Sequence, residues 1–338
     1  LIQGGPGFDH IAGDNAIITR VLVDGNWVAN TFNDGIQHLP IRLLDIARVG
    51  AGTATADLDT SGGDTIEGNE HDDLIYGQGN GAAPVRDLLY GNAGDDYMEG
   101  NAGNDYMEGN AGQDDMIGGT GLLLGDPATG VDGRFDGLDE LHGGDHADFQ
   151  LGDNGSVVRP LGGDGEWTHY DDYNPTTVVR NATRFDVDGP DTTSGHDVMN
   201  GDDGDDYQWG QDGDDVMHGN ADNDDMYGDS GQDAMVGDRG GIRDTRIEGD
   251  AMEIAFDTKG PAFFEYVGLV DGQLDRRVSL THDIDGTALL QPGLTVGGND
   301  RMRGGPGHDS MHGAFGDDLM NGDSGGDWLF GADGADVM

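Results

Sequence analysis

The chain repeats itself every nine residues, a period that belongs to no helix and to no ordinary strand. Residues 90–119 read YGNAGDDYMEGNAGNDYMEGNAGQDDMIGG, three near-copies of one phrase in which glycine, aspartate and methionine keep step. Side chains recur at 3.6 residues on a helix and at two on a strand. A period of nine therefore calls for a unit of mixed conformation, a turn followed by a short strand. Aligned on its glycines, the unit is G, then Asn, Asp or Gly, any residue, G, any residue, D, any residue, a large apolar residue, any residue. This frame starts at Gly4, resumes at Gly62, runs to about Gly121, returns from Gly137 to Gly155 and from Gly195 to Gly240, and closes from Gly297 to Met338.

The sixth position carries an aspartate nineteen times: Asp9, Asp64, Asp73, Asp87, Asp96, Asp105, Asp114, Asp139, Asp148, Asp197, Asp206, Asp215, Asp224, Asp233, Asp300, Asp309, Asp318, Asp327 and Asp336. The whole chain leans the same way, with 67 acidic residues against 16 Lys plus Arg, 64 Gly and a formal charge of -51 in 338 residues. Such a charge argues against nucleic acid and anionic membrane as partners and favours cations. Aspartate and glycine at fixed places do not make a solvated acidic tail, whose charge is Glu-rich and unpatterned. No apolar run is long enough to span a bilayer, and the neighbourhood of Leu1 already belongs to the repeat, so neither a transmembrane segment nor a signal peptide is expected there. With no cysteine, metal is the expected substitute for disulfides.

The GGxGx half of the unit needs backbone angles that glycine supplies cheaply and turns the chain sharply; the next three residues are expected to form a short strand. Carbonyls bared by the turn and the sixth-position carboxylate offer oxygens to a hard cation, and Ca²⁺ takes about six to eight of these at roughly 2.3–2.6 Å. The repeated GGxGxDxUx pattern resembles the RTX, or haemolysin-type calcium-binding, nonapeptide family. That resemblance implies an all-β, right-handed parallel β-roll with two nonapeptides per flattened turn and multiple Ca²⁺ ions between stacked turns. It makes the nineteen aspartates the metal-ligating candidates, and it implies type I secretion of an unfolded polypeptide.

Eleven of the twelve methionines stand at the eighth position, all but Met252, with Ile11, Ile66, Ile75, Leu89, Leu141 and Leu329 in the same register. This position is expected to point into the roll, where an unbranched side chain fills a thin gap between sheets; Gln150 and Gln208 break the rule. A soft-metal methionine ladder is disfavoured because no His or Cys sits in register with the sulfurs. Stacked aspartates repel, the core is one side chain thick and glycine loses much entropy on ordering, so the roll is expected to be disordered without cation. Weak calcium sites summed along a solenoid become a folding switch, off in the low calcium of a cell interior and on outside.

The roll blocks are expected at 1–15, 61–121, 137–155, 195–240 and 297–338, with β-hairpin-type insertions at 16–60, 122–136, 156–194 and 241–296. The large insertions share borders: GDNAIITR at 13, GDNGSVVR at 152 and GDRGGIR at 237 leave the roll, and DLD, DVD and DID precede re-entry. Trp27, Trp167, Phe263, Phe264 and Tyr266 are either contacts for a neighbouring chain or a sugar, or, more simply, packing against the roll's edge. DLDTSG begins like an EF-hand loop, but its twelfth position is Gly68 rather than Glu.

Catalytic signatures are weak. HExxH is absent, and GDSGGD at 322–327 imitates a serine-protease nucleophile segment only because Ser324 falls in a nonapeptide. His308 with His312, and His142 with His146, have zinc-like spacing but do not lie on helices, and the histidines are expected mostly at the surface. Asn181 opens a glycosylation sequon. The chain is thus expected to be no enzyme but a calcium-binding structural repeat segment of a secreted surface, filament, surface-layer or adhesin protein, located outside the cell. The alternative is an export and folding module of a type I-secreted enzyme or toxin. The repeat frame runs to both ends of the sequence, so either the chain continues or copies join through open solenoid ends or insertions into a fibre or layer.

Overall fold

The structure, a computed structural model, describes residues 1–7, 9–13, 16–18, 22–23, 26–27, 41–43, 62–79, 85–121, 137–160, 162, 168, 177–184, 195–238, 240–244, 252–253, 264–270, 274–280 and 298–338. These fall into two compact units, Leu1–Gly195 and His196–Met338. Among the described residues every regular element is a strand.

Successive nonapeptides alternate between two sheets. In the first unit one sheet is built from Ile2–Pro6, Thr65–Glu70, Leu88–Ala93, Tyr106–Ala111 and Glu140–Asp145, the other from His10–Ala12, Leu74–Gly79, Tyr97–Ala102, Asp115–Ile117 and Phe149–Leu151. Neighbours pair in parallel with like positions opposite: Met98 faces Ile75 on one side and Met116 on the other, and Met107 faces Leu89 and Leu141. The second unit repeats the plan, with Val198–Asp203, Val216–Ala221, Ala234–Val236, Ser310–Phe315 and Trp328–Asp333 in one sheet and Tyr207–Asp212, Asp225–Ser230, Arg301–Gly307 and Leu319–Gly325 in the other. This is a parallel β-roll of nonapeptide repeats.

Most strands of the roll are longer than three residues. Tyr97–Ala102 and Tyr106–Ala111 run six residues, from the seventh position through the third position of the next unit. What lets them continue is a left-handed residue at the second position, where Asn92, Asn101, Asn110 and Asn220 have φ of 80°, 78°, 77° and 83°. Asn, Asp and Gly tolerate that region best, which is why they predominate at the position, although Gln78, Gln211 and Ala314 adopt it too. The fourth position also takes positive φ, with His71, His146 and Asp222 among its occupants; at Gly112, φ is 149° and a Cβ would run into the Gly94 carbonyl one level below.

The eighth position is the core. Ile66, Ile75, Leu89, Met98, Met107, Met116 and Leu141 are fully buried in the first unit, as are Met199, Met217, Met226, Met235 and Met311 in the second. Gln150 and Gln208 are buried at the same position, and Gln208 donates from Nε2 to the His218 carbonyl at 3.0 Å. Met338 is the exposed exception. The histidines are less superficial than expected, since His218 and His312, both at the ninth position, are buried as well.

The segments between roll blocks carry antiparallel pairs: Ala16–Ile18 with Ile41–Leu43, Leu22–Val23 with Asn26–Trp27, and Gly155–Val158 with Asn181–Arg184. A four-stranded antiparallel sheet is ordered Met252–Glu253, Gly240–Asp244, Leu274–Leu280, Phe264–Val270. The shared exit motif has a structural reason. Asp153 Oδ1 accepts the N–H of Gly195 at 3.2 Å, and Asp238 Oδ1 accepts that of Gly298 at 2.9 Å, so the buried aspartate of each exit holds the glycine at which the chain re-enters. The side chains of Trp27, Trp167, Phe263, Phe264 and Tyr266 lie outside the described residues.

Candidate metal centres

Each sixth-position aspartate sits where the turn ends and the next strand begins, and the turns stack these residues into ladders. In the first unit one ladder is Asp9, Asp73, Asp96, Asp114 and Asp148, and the other is Asp64, Asp87, Asp105 and Asp139. In the second unit they are Asp197, Asp215, Asp233, Asp309 and Asp327, and Asp206, Asp224, Asp300, Asp318 and Asp336. All nineteen aspartates are thus placed in register.

The two oxygens of each carboxylate have different fates. Oδ1 accepts the backbone N–H of the aspartate one level earlier: Asp73 N–H donates to Asp96 at 2.7 Å, Asp96 N–H to Asp114 at 2.7 Å, and Asp206 N–H to Asp224 at 2.9 Å. Oδ2 of Asp73, Asp96, Asp114, Asp224, Asp300 and Asp318 is buried and accepts no hydrogen bond. A buried charged oxygen in that condition is costly unless a cation meets it.

The first-position glycine shows the surroundings of that oxygen. A Cβ on Gly100 would lie 2.6 Å from Asp105 Oδ2 and 2.6 Å from the Gly118 carbonyl oxygen of the next level. Carboxylate and carbonyl oxygens therefore converge on a niche that only a glycine leaves open. Among the described residues no three His, Cys, Asp or Glu side chains gather at one point. Each level instead supplies one carboxylate beside backbone carbonyls, an all-oxygen donor set that suits a hard cation and fits calcium.

The electrostatics press the same way. Burial pushes the Asp96 carboxyl up to about 9, with Asp114 and Asp73 adding like-charge repulsion against the lowering bond from Asp73. Burial likewise raises Asp73 to about 7 and Asp318 to about 6. Asp224 and Asp300 are pushed well above the carboxylate range, by burial first and then by acidic neighbours that include Asp238. Without a cation the folded ladder holds its charges only at a penalty.

A second ladder occupies the fifth position, which the sequence presents as free. Gln113 N–H donates to Asp95 Oδ1, Asn223 N–H to Asp205 Oδ1 and Gln232 N–H to Asp214 Oδ1, at 2.9, 3.0 and 2.7 Å. His196 Nδ1 and His308 Nδ1 act as the acceptors at their levels, for Asp214 and Gly326. His308 thus serves a turn while His312 is buried in the strand Ser310–Phe315, so the two do not form a zinc pair. His142 and His146 are likewise engaged separately, with Glu140 and with the Asp145 carbonyl. Ser324 is an exposed residue of the strand Leu319–Gly325.

Comparison with known families finds the RTX calcium-binding nonapeptide repeat at residues 59–80, 86–121, 209–241, 295–329 and 312–338. No curated protein sequence matches the chain. The matched segments include many of the strands and turns just described and the ladder residues Asp73, Asp96, Asp114, Asp215, Asp233, Asp300 and Asp318, and with them the chain carries RTX calcium-binding nonapeptide repeats.

Proposed function

We propose that this chain is a structural segment of a secreted surface, filament, surface-layer or adhesin protein, not an enzyme, and that it folds and stiffens when calcium is met outside the cell. The nineteen sixth-position aspartates hold multiple ions, giving Oδ2 to the metal while Oδ1 of those that follow an earlier level, such as Asp96 and Asp224, stays in the ladder. The observation that carries this reading is the row of buried Oδ2 atoms without a hydrogen bond, at Asp73, Asp96, Asp114, Asp224, Asp300 and Asp318, in a fold whose hydrogen bonding is otherwise closed at the same residues. The structural role is favoured over an export module because the insertions are mounted at their feet, by Asp153 and by Asp238, as parts of the roll.

The test is a calcium titration from chelator to about 10 mM, with magnesium at matched ionic strength, followed by far-UV circular dichroism and light scattering. Cooperative gain of β-structure specific to calcium, with growth in particle size, is the expected result. Folding without growth would favour the export module of a type I-secreted enzyme or toxin, and a chain fully folded in chelator would remove the calcium-folding reading.

A further inference from the structure

Two arginines of the insertion after residue 155 are buried against one turn edge of the first unit. Arg159 is fully buried and Arg180 is 5% exposed, in a chain with only 16 basic residues. Arg159 Nε donates to Asp115 Oδ2 at 2.7 Å, its Nη2 donates to the Gln113 carbonyl, and its Nη1 lies 3.7 Å from Asp95 Oδ2. Arg180 Nε donates to Asp115 Oδ1 at 3.0 Å, Nη2 to the Ala147 carbonyl at 3.0 Å, and Nη1 to Gln113 Oε1 at 3.2 Å. Gln113 Oε1 in turn accepts the N–H of Val178 at 2.9 Å, which fastens the insertion's backbone to the same place.

Asp95, Gln113 with Asp115, and Ala147 belong to three successive levels of one edge, those of the ladder aspartates Asp96, Asp114 and Asp148. The two guanidiniums therefore tie three turns together from outside, using a carboxylate and carbonyls as their acceptors. Planar guanidinium suits this because it is always charged and directs several donors at once. Its charge also falls on the ladder, since Arg159 opposes the upward push that burial gives Asp114. Cross-linking of turns and neutralisation of stacked carboxylates are what calcium would supply along the rest of the roll.

We propose that Arg159 and Arg180 are resident cations of the roll, ordering the edge through Asp96, Asp114 and Asp148 at calcium concentrations too low to order the remaining turns. The insertion thereby acts as the starting point of folding in the first unit. This rests on the calcium-folding reading above, and one experiment separates the two.

The experiment is hydrogen–deuterium exchange of the full chain, read peptide by peptide across a calcium titration from chelator upward. Peptides covering 95–117, 147–159 and 177–184 gain protection at lower calcium than those covering 205–235. The double variant Arg159→Gln/Arg180→Gln raises the calcium midpoint of the first group at least about twofold and leaves the 205–235 midpoint unchanged. Arg180→Lys, which keeps the charge but not the fork, shifts it less. Protection of every repeat in chelator would overturn the calcium-folding reading itself. Equal midpoints in the two groups of the unsubstituted chain, or protection of 205–235 first, would overturn the arginine proposal alone, whether or not the double variant folds.

Discussion

Asp114 in the first unit and Asp224 in the second occupy the same place in the repeat, and both are essentially inaccessible to solvent. Each Oδ1 accepts the amide of the aspartate one level earlier, Asp96 and Asp206. Their neighbourhoods differ in sign. Asp114 has Arg159 beside it, and burial with its acidic neighbours still raises it to about 8. Asp224 has Asp206, Asp300 and Asp238 around it, which add to the rise against the bond from the Asp206 amide. One repeat chemistry thus has two levels of cation demand, and an insertion, not the repeat, sets the difference.

The largest effect expected is from removing calcium altogether. Chelation should abolish most β-structure in the second unit while exchange protection persists around Asp96, Asp114 and Asp148; uniform protection across both units would erase the contrast. Next, Met217→Ala and Met116→Ala each empty a fully buried core site, and each should cost about 2–5 kcal/mol in calcium by urea denaturation, whereas Leu at either position should cost less than about 1.5 kcal/mol. A core defect is expected to weigh equally in both units, because the contrast lies at the edges.

Substituting the two aspartates sharpens the comparison further. Asp224→Asn keeps an oxygen for the Asp206 amide but removes the charge, so it should weaken calcium-dependent folding and yet reduce disorder in chelator. Asp224→Ala should be worse in both conditions, leaving the buried Asp206 amide unmet at about 1–3 kcal/mol. The gain in chelator should be smaller for Asp114→Asn, whose charge already has Arg159 to oppose it; circular dichroism with and without chelator reads the outcome for each variant.

Acidity offers a gentler form of the same test. Carboxyls raised in the fold, such as Asp96 at about 9 and Asp73 at about 7, favour the folded state when protonated. Their metal-free contribution is fully present below the ordinary carboxyl value of 3.8 and is lost as pH rises through these folded values. In chelator, β-structure should therefore increase from pH 9 toward pH 4, most in the turns around Asp224 and Asp300. Smallest of all, Tyr227→Ala removes a ring stacked on Trp209 at 4.6 Å between centroids and should cost about 0.5–1.5 kcal/mol, raising the calcium midpoint only by the amount that this loss of stability implies.

Much of this molecule is legible in its sequence because the repeat is a local code. The glycines, the sixth-position aspartates and the eighth-position methionines announce turn, ladder and core without any distant partner. The strand length was misjudged because the left-handed second position bends the chain without ending the strand, as Asn101 and Asn110 show. The fifth-position ladder escaped because Asp, Asn and His all present an acceptor there, so chemistry is shared where identity is not. Arg159 and Arg180 could not be foreseen, since they meet Asp115 across 44 and 65 residues and carry no motif. His218 and His312 are buried at a position whose exposure depends on what lies over the sheet, which the nonapeptide does not encode.

The sixth-position ladder bonds all run in one direction, opposite to those of the fifth position. Asp197 gives its amide to Asp215, Asp215 to Asp233, and Asp233 to Asp309, so each of these amides is met by a turn that comes later in the chain. A fault is consequently displaced from its address: a change at Asp215 withdraws an acceptor from Asp197, eighteen residues earlier, before it disturbs its own turn. A polypeptide emerging amino end first would leave each sixth-position amide unmet until its successor arrived, so this ladder would close in arrears, one level behind the growing length.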